Sequence, residues 1–200
     1  MSKILMNLFG RPSGWLGNIG GRIMAMTNQK LNQWTISLLN VQPNDNILEV
    51  GFGPGTAIQE ISKRIEGGSI VGIDPSQTML AQAQKRNASA IEKGKVRLLL
   101  SSVENLPAFD EPFDKIFSVN SIIFWQEPIE CLKTLRRHLT PSGMIIITWQ
   151  PRSRGATDET VTQGGQRIAE HLKEAGFAEI QLDVKKMKPV SAASVIGYNP

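Results

Sequence analysis

The chain has 200 residues, of which 40% are hydrophobic and 20% charged, a composition typical of one globular domain and unlike that of a disordered chain. The net charge of +4 is scattered, and its one dense basic cluster, residues 185–188, is interpreted as a solvated turn, which disfavours a nucleic-acid partner. The single cysteine excludes an intrachain disulfide, and without a signal peptide or an apolar run of about 18 residues we expect a cytoplasmic protein that makes no membrane contact.

The first part of the chain predicts a helical segment in front of the main domain. Thr27, Leu31, Trp34 and Leu38 recur at steps of three and four, which favours a helix over about residues 17–40 with one buried face. We interpret residues 1–43 as an N-terminal helical segment that forms a lid or a wall of the acceptor site.

From residue 44 onwards, predicted strands and helices alternate. A strand at 46–50 leads into a helix with an apolar stripe, for which Thr56 and Gln59 predict a capping box. Several strands are continuous apolar runs, as expected of a parallel sheet covered on both faces. The predicted strands of this part are 46–50, 69–74, 95–100, 115–119 and 144–149, with helices over about 56–65 and 76–93 and from Pro128.

The end of the chain breaks this rhythm. Residues 179–184 alternate between apolar and polar, and a short turn joins them to a second strand at 190–198. A connection this short permits a hairpin but no parallel crossover. The sequence therefore predicts a doubly wound α/β sheet whose last two strands are antiparallel to each other.

The region from the end of the first predicted strand to the end of the second contains the candidate ligand-binding residues. Gly51, Gly53 and Gly55 follow the first apolar strand, and residues without Cβ atoms let a ligand approach the backbone closely. Asp74 ends the second strand roughly 20 residues later, where a carboxylate can reach the hydroxyls of a ribose. The pattern predicts a site for an adenosine-containing cofactor.

Glu49, directly before the glycines, helps to decide which cofactor fits. A carboxylate there would repel a pyrophosphate but suits a group that carries an ammonium and a sulfonium. A nicotinamide-dependent reductase is also disfavoured because Tyr198 is the only tyrosine and no lysine follows it. A non-catalytic module of the same fold is a further alternative, although the intact glycine loop and Asp74 argue against it.

In combination, these motifs resemble the class I S-adenosylmethionine-dependent methyltransferases. The resemblance implies a Rossmann-like doubly wound fold with a seven-stranded, mostly parallel sheet and a final antiparallel strand. It covers about residues 44–198. The matching motifs are residues 49–56, residues 72–74 with Met79 and Leu80, and residues 103–107, 114–120 and 139–144.

The resemblance also implies roles for single residues, with S-adenosylmethionine as the cofactor. The glycines would lie along the methionine part and the ribose, Glu49 would orient the loop, and Asp74 would bind the ribose hydroxyls. Many members have an aspartate where this chain has Ser102, which would make a weaker bond to adenine. The full predicted cofactor-binding set is Glu49, Gly51, Phe52, Gly53, Gly55, Asp74, Pro75, Met79, Ser102, Val103 and Asn120.

The acceptor is predicted to be a small molecule of apolar or aromatic character. Residues 120–123 lack the Asn-Pro-Pro-Tyr signature of methylation at a base or amide nitrogen. Ligands of doubly wound sheets bind beyond the carboxyl ends of the strands, where aromatic residues of this chain are expected. No catalytic residue and no metal site is predicted. The predicted acceptor-site residues are Trp15, Phe124, Trp125 and Trp149, whereas Trp34 is expected in the core.

Overall fold

A computed structural model describes residues 29–153 and 155–200. Its strands form one seven-stranded sheet in the order β3-β2-β1-β4-β5-β7-β6. β7 runs antiparallel to both of its neighbours, whereas all the other pairs are parallel. The predicted fold class is confirmed. The strands are β1 Asn46–Val50, β2 Ser69–Asp74, β3 Val96–Leu100, β4 Phe113–Val119, β5 Leu139–Trp149, β6 Ala178–Lys185 and β7 Ala192–Tyr198.

Helices cover both faces of the sheet and divide the core into two layers. The first three helices pack on one face, where their apolar residues meet those of the strands, and the last two cover the other face. The described helices are α1 over residues 29–39, α2 Thr56–Ser62, α3 Gln77–Glu92, α4 Pro128–Arg137 and α5 Asp158–Glu174. Two 3₁₀ turns, η1 Val103–Asn105 and η2 Ile122–Phe124, follow the carboxyl ends of β3 and β4.

The strand order reverses between β1 and β4. β1 pairs with β2 on one side and with β4 on the other, so that Glu49 lies between Gly72 and Phe117. In open α/β sheets this reversal leaves a crevice beyond the carboxyl ends of the two central strands. The fold therefore brings the glycine loop after β1 and the turn η2 after β4 to the same edge of the sheet.

The helix α1 is part of the core. Trp34 is only 8% exposed, which confirms its predicted place in the core. Thr35 is fully buried, and its hydroxyl lies 2.8 Å from the hydroxyl of Thr148 on β5, which lies 3.0 Å from that of Ser194 on β7. These contacts fix α1 to the sheet. Residues 1–28, including Trp15 and most of the predicted N-terminal segment, lie outside the described residues.

The strand β5 begins five residues earlier than predicted, the largest such difference in the sheet. β5 starts at Leu139, which pairs with Phe113, and the predicted turn at residues 140–143 is an irregular part of this strand. Ser142 there has a φ of 61°, in the left-handed region, so the chain bends without leaving the sheet. Within the described ranges, no helix combines the length and the apolar character needed to cross a membrane.

Candidate functional site

The glycine loop follows β1 and its three glycines differ in their surroundings. All three have positive φ, with values of 82°, 52° and 74° for Gly51, Gly53 and Gly55. A Cβ atom on Gly51 would lie 2.5 Å from the Cβ of Ser121, and one on Gly55 would lie 2.7 Å from that of Ala83. A Cβ on Gly53 would meet no atom within 4 Å. Protein atoms thus require glycine at the two outer positions, while the middle one borders open space.

Glu49 is buried and incompletely satisfied. It is only 3% exposed, and its Oε2 atom has no hydrogen-bond partner among the described residues. Burial and the nearby charge of Asp74 raise the pKa of this carboxyl well above its usual range, against a hydrogen bond from the backbone N–H of Ile58. A cation placed here would stabilise the charged form of the carboxyl. The site therefore fits a positively charged ligand group.

Asp74 joins the glycine loop to the start of α3. Its Oδ2 accepts a hydrogen bond from the N–H of Gly53 at 2.9 Å, and its Oδ1 accepts one from the N–H of Ser76 at 2.9 Å. Burial raises the pKa of this carboxyl, and both hydrogen bonds act in the opposite direction. The side chain of Ser76 caps α3, so Asp74 is not its N-cap. Each carboxylate oxygen keeps acceptor capacity beyond its one backbone bond.

The residues expected around the adenine lie next to Asp74, in different degrees of burial. Pro75 is exposed, Ser102 is half-buried, and Met79 and Val103 are buried. The N–H of Ser101 donates to the carbonyl of Asp74 at 3.2 Å, which holds the ends of β2 and β3 together. The structure therefore brings these predicted residues to one edge of the sheet.

Phe52 and Asn120 make contacts within the protein. Phe52 is 3% exposed and packs against the backbone of Gly72, where a Cβ would lie 2.8 Å from its ring. Asn120 follows β4 directly with a φ of 57°, and its Oδ1 accepts a hydrogen bond from the N–H of Gln150 at 2.8 Å. Asparagine tolerates this conformation better than most residues do. Both residues thus shape the crevice, and their contact with a cofactor stays a prediction.

The predicted capping box at the start of α2 is wrong. Gly55 precedes the helix in a left-handed conformation and supplies no side-chain cap. Thr56 is the first helical residue, and its hydroxyl oxygen is buried without a partner among the described residues. The sharp backbone turn of the glycine loop moves Thr56 one position past the cap.

Of the predicted acceptor-site residues in the described part, only Phe124 presents a largely exposed ring. Phe124 is 54% exposed and its neighbour Ile123 is 53% exposed, both on η2. Trp125 is 8% exposed, and Trp149 packs against the helix α5, where a Cβ on Gly164 would lie 1.9 Å from its ring. The structure thus places Trp125 and Trp149 largely within protein contacts. Their role in the acceptor site remains a prediction.

Ser121 connects the two sides of the crevice and was missed in the sequence. The Ser121 hydroxyl donates to the carbonyl of Val50 at 2.9 Å and accepts a hydrogen bond from the indole N–H of Trp125 at 3.3 Å. Its Cβ occupies the space that a side chain at Gly51 would need. A lone serine after a strand carries no signal by itself, and only the packing against Gly51 shows its role.

The arrangement can hold a cationic nucleoside. The strand-order reversal is surrounded by a buried carboxylate, one oxygen of which has no partner among the described residues, by a second carboxylate at the end of the neighbouring strand and by a glycine that faces open space. Comparison with known proteins agrees with this chemistry. The chain is 40% identical over 182 residues to the uncharacterized methyltransferase YdaC of Bacillus subtilis strain 168. The aligned region covers 91% of this chain and 98% of that protein. Residues 47–143 match a family described as "Methyltransferase domain".

The chain belongs to the class I S-adenosylmethionine-dependent methyltransferases.

Solved structures support the fold of this methyltransferase. A SAM-dependent methyltransferase from Aquifex aeolicus superposes on this chain with a TM-score of 0.68 and 22% sequence identity. The match covers 84% of this chain and 89% of the Aquifex chain. The N-methyltransferase NodS from Bradyrhizobium japonicum WM9, in complex with S-adenosylhomocysteine, superposes with a TM-score of 0.68 and 15% sequence identity. The match covers 86% of this chain and 87% of the NodS chain. S-adenosylmethionine is the cofactor of the methyltransferase described here.

Proposed function

We propose that this methyltransferase transfers the methyl group in line to a small acceptor of apolar or aromatic character. The observation that carries the proposal is the exposed pair Ile123 and Phe124 on η2. This turn begins next to Ser121, whose Cβ touches the glycine loop at Gly51. Exposed apolar side chains so close to a polar cofactor loop favour an apolar ligand over a charged one.

The chain's own residues would hold the cofactor as follows. Gly53 gives the ligand access to the backbone, Asp74 accepts hydrogen bonds from the ribose hydroxyls, and Glu49 attracts the positive charge of the methionine part. When bound, the cofactor supplies an activated methyl group on a sulfonium. The protein orients the acceptor and excludes water, which contributes about 7–11 kcal/mol in well-oriented reactions. A general base is required only for an acceptor that must lose a proton.

The cofactor assignment is tested with Asp74→Ala. We expect this variant to bind S-adenosylmethionine at least about tenfold more weakly in a calorimetric titration, because hydrogen bonds to a charged acceptor are lost. Asp183→Ala, on the exposed strand β6, is the matched control and should bind like the wild type. Unchanged affinity in Asp74→Ala would refute the ribose assignment.

The acceptor assignment is tested with Phe124→Ala. The wild-type protein is incubated with a cell extract and S-adenosylmethionine that carries a labelled methyl group. We expect the label to enter a small molecule that partitions into organic solvent. Phe124→Ala should lower this transfer about tenfold, as expected when a large aromatic contact is truncated, without changing the affinity for the cofactor.

Val184→Ala is the control for this experiment, since Val184 is 47% exposed on β6, away from the crevice. Label found in acid-insoluble protein or nucleic acid would contradict the proposed acceptor class. A small-molecule acceptor, without a nucleic-acid or membrane partner, is the corresponding proposal for the protein's partners.

A further inference from the structure

A small polar cavity lies in the seam between α1 and α2. Its volume is about 90 Å³. This is room for roughly three water molecules, far below the 300–1,000 Å³ of a typical small-molecule site, so the cavity can take only one end of a ligand. We call it the seam cavity; its lining residues are Gln29, Asn32, Gln33, Ile36, Thr56 and Glu60.

The described residues of the lining offer hydrogen-bond donors and include no basic side chain. Asn32 is half-buried and lines the cavity. The hydroxyl of Thr56 is buried and has no hydrogen-bond partner in the described part of the chain. The negative charge of Glu60 is paired with Lys63 at 2.8 Å. Neutral N–H and O–H donors are thus available for an anionic group.

The seam cavity adjoins the glycine loop. Thr56 follows Gly55 directly, and Ile58, whose N–H bonds to Glu49, lies two residues further along α2. The amino-acid end of S-adenosylmethionine carries an ammonium and a carboxylate. Glu49 attracts the ammonium, and the negative charges of Glu49 and Asp74 repel the carboxylate. The seam cavity supplies neutral hydrogen-bond donors for this carboxylate.

We propose that the seam cavity binds the cofactor's carboxylate through the amide of Asn32, with Thr56 and the glutamines as further donors. This rests on the proposed cofactor site and adds a residue set from α1 to it. The spacing of Gln29, Asn32, Gln33 and Ile36 places them on one helical face. The three polar residues among them form a stripe beside the buried apolar face of α1.

Decarboxylated S-adenosylmethionine tests this directly, because it keeps the ammonium and the sulfonium but lacks the carboxylate. We expect the wild type to bind S-adenosylmethionine about tenfold more tightly than the decarboxylated compound in calorimetric titrations. Asn32→Asp keeps the side-chain shape and replaces a donor with a negative charge. It should remove this preference, while the affinity for the decarboxylated compound stays unchanged or rises.

Thr56→Val is the second variant and should reduce the preference by a smaller factor, about two- to fivefold. Gln59→Ala is the control, since the amide of Gln59 on the same helix donates to the carbonyl of Arg86 and does not line the cavity. Retained binding of the decarboxylated compound shows that each variant is folded.

An undiminished preference in Asn32→Asp would overturn the inference and leave the cofactor assignment intact. Failure of the wild type to bind either compound would instead overturn the cofactor assignment, and the inference with it.

Discussion

At the residue scale, Glu49 links the stability of the free protein to ligand binding. Its pKa in the folded protein lies above its ordinary value because the carboxyl is buried beside Asp74. Below the unfolded-state pKa both states are protonated and the group costs no stability. As the pH rises from the unfolded-state pKa to the folded-state pKa, the unfolded chain ionises while the buried carboxyl stays protonated, so stability is lost. Above the folded-state pKa both states are charged and the loss is complete.

Glu49→Gln should therefore raise the free energy of unfolding of the unliganded protein, and the gain should grow as the pH rises from the ordinary glutamate pKa of 4.5 towards neutral pH. Urea unfolding at several pH values measures it. The same variant should bind S-adenosylmethionine about tenfold more weakly, because the attraction for the cation is lost. Lower stability of the variant throughout this pH range would contradict the account.

The glycines of the loop provide a second prediction at this scale. Gly53→Ala should cost about 1–2 kcal/mol of stability, since only its left-handed conformation is strained. Gly51→Ala should cost about 2–5 kcal/mol, because a collision with Ser121 is added. Chemical denaturation compares the two, and a calorimetric titration should show that Gly53→Ala also weakens cofactor binding. Equal losses of stability in Gly51→Ala and Gly53→Ala would contradict the prediction that the collision with Ser121 adds to the cost at Gly51.

The sequence predicts which cofactor the site binds and several of its main residues, but not the contacts that join its different elements. Glu49, the glycines and Asp74 follow from strand ends and loop spacing, which are local in the sequence. The packing of Ser121 against the glycine loop and the place of Asn32 in the seam cavity could not be predicted in the same way, because each brings together elements that are distant in the chain. The buried placement of Trp125 likewise depends on the packing of α4 and η2.

At the element scale, the helix α1 is expected to be necessary for folding, whereas residues 1–28 are proposed to act on the acceptor. Leu31, Trp34, Ile36 and Leu39 are all buried, and truncation of one such side chain typically costs about 2–5 kcal/mol. Deletion of residues 1–40 should thus prevent stable folding. Deletion of residues 1–28 should leave a folded protein that binds the cofactor but transfers methyl groups poorly.

Circular dichroism and cofactor titration distinguish these two deletions. A folded protein without residues 1–40, or full turnover without residues 1–28, would contradict this division of roles.

The bond between α1 and β5 can be tested with a matched pair of threonines. Thr35→Val removes the buried bond to Thr148 and should lower the free energy of unfolding by about 1 kcal/mol more than Thr162→Val. Thr162 is the control because its hydroxyl makes the same local bond, to the carbonyl four residues earlier, but on an exposed helix face. An equal effect of the two substitutions would show that the contact with β5 contributes nothing.

At the scale of the whole molecule, the parallel pairing of β1 to β5 follows from the alternation of strands and helices, and this is why the sequence predicts the fold class. Continuous apolar runs at β1, β2 and β5 predict a parallel sheet covered on both faces, and the short turn between β6 and β7 predicts their antiparallel pairing. The irregular start of β5 was not predictable, since residues 140–143 have a composition typical of turns and lie between the pairs that Leu139 forms with Phe113 and Met144 with Lys115.

The crevice between β1 and β4 is the centre of this account, and a crystal structure of the protein with S-adenosylhomocysteine tests it most directly. We predict the nucleoside beyond the carboxyl ends of these strands, with its ribose hydroxyls within hydrogen-bond distance of the Asp74 carboxylate and its sulfur beside the glycine loop. A nucleoside bound elsewhere, or a crevice filled by the protein's own side chains in crystals that contain the ligand, would contradict it.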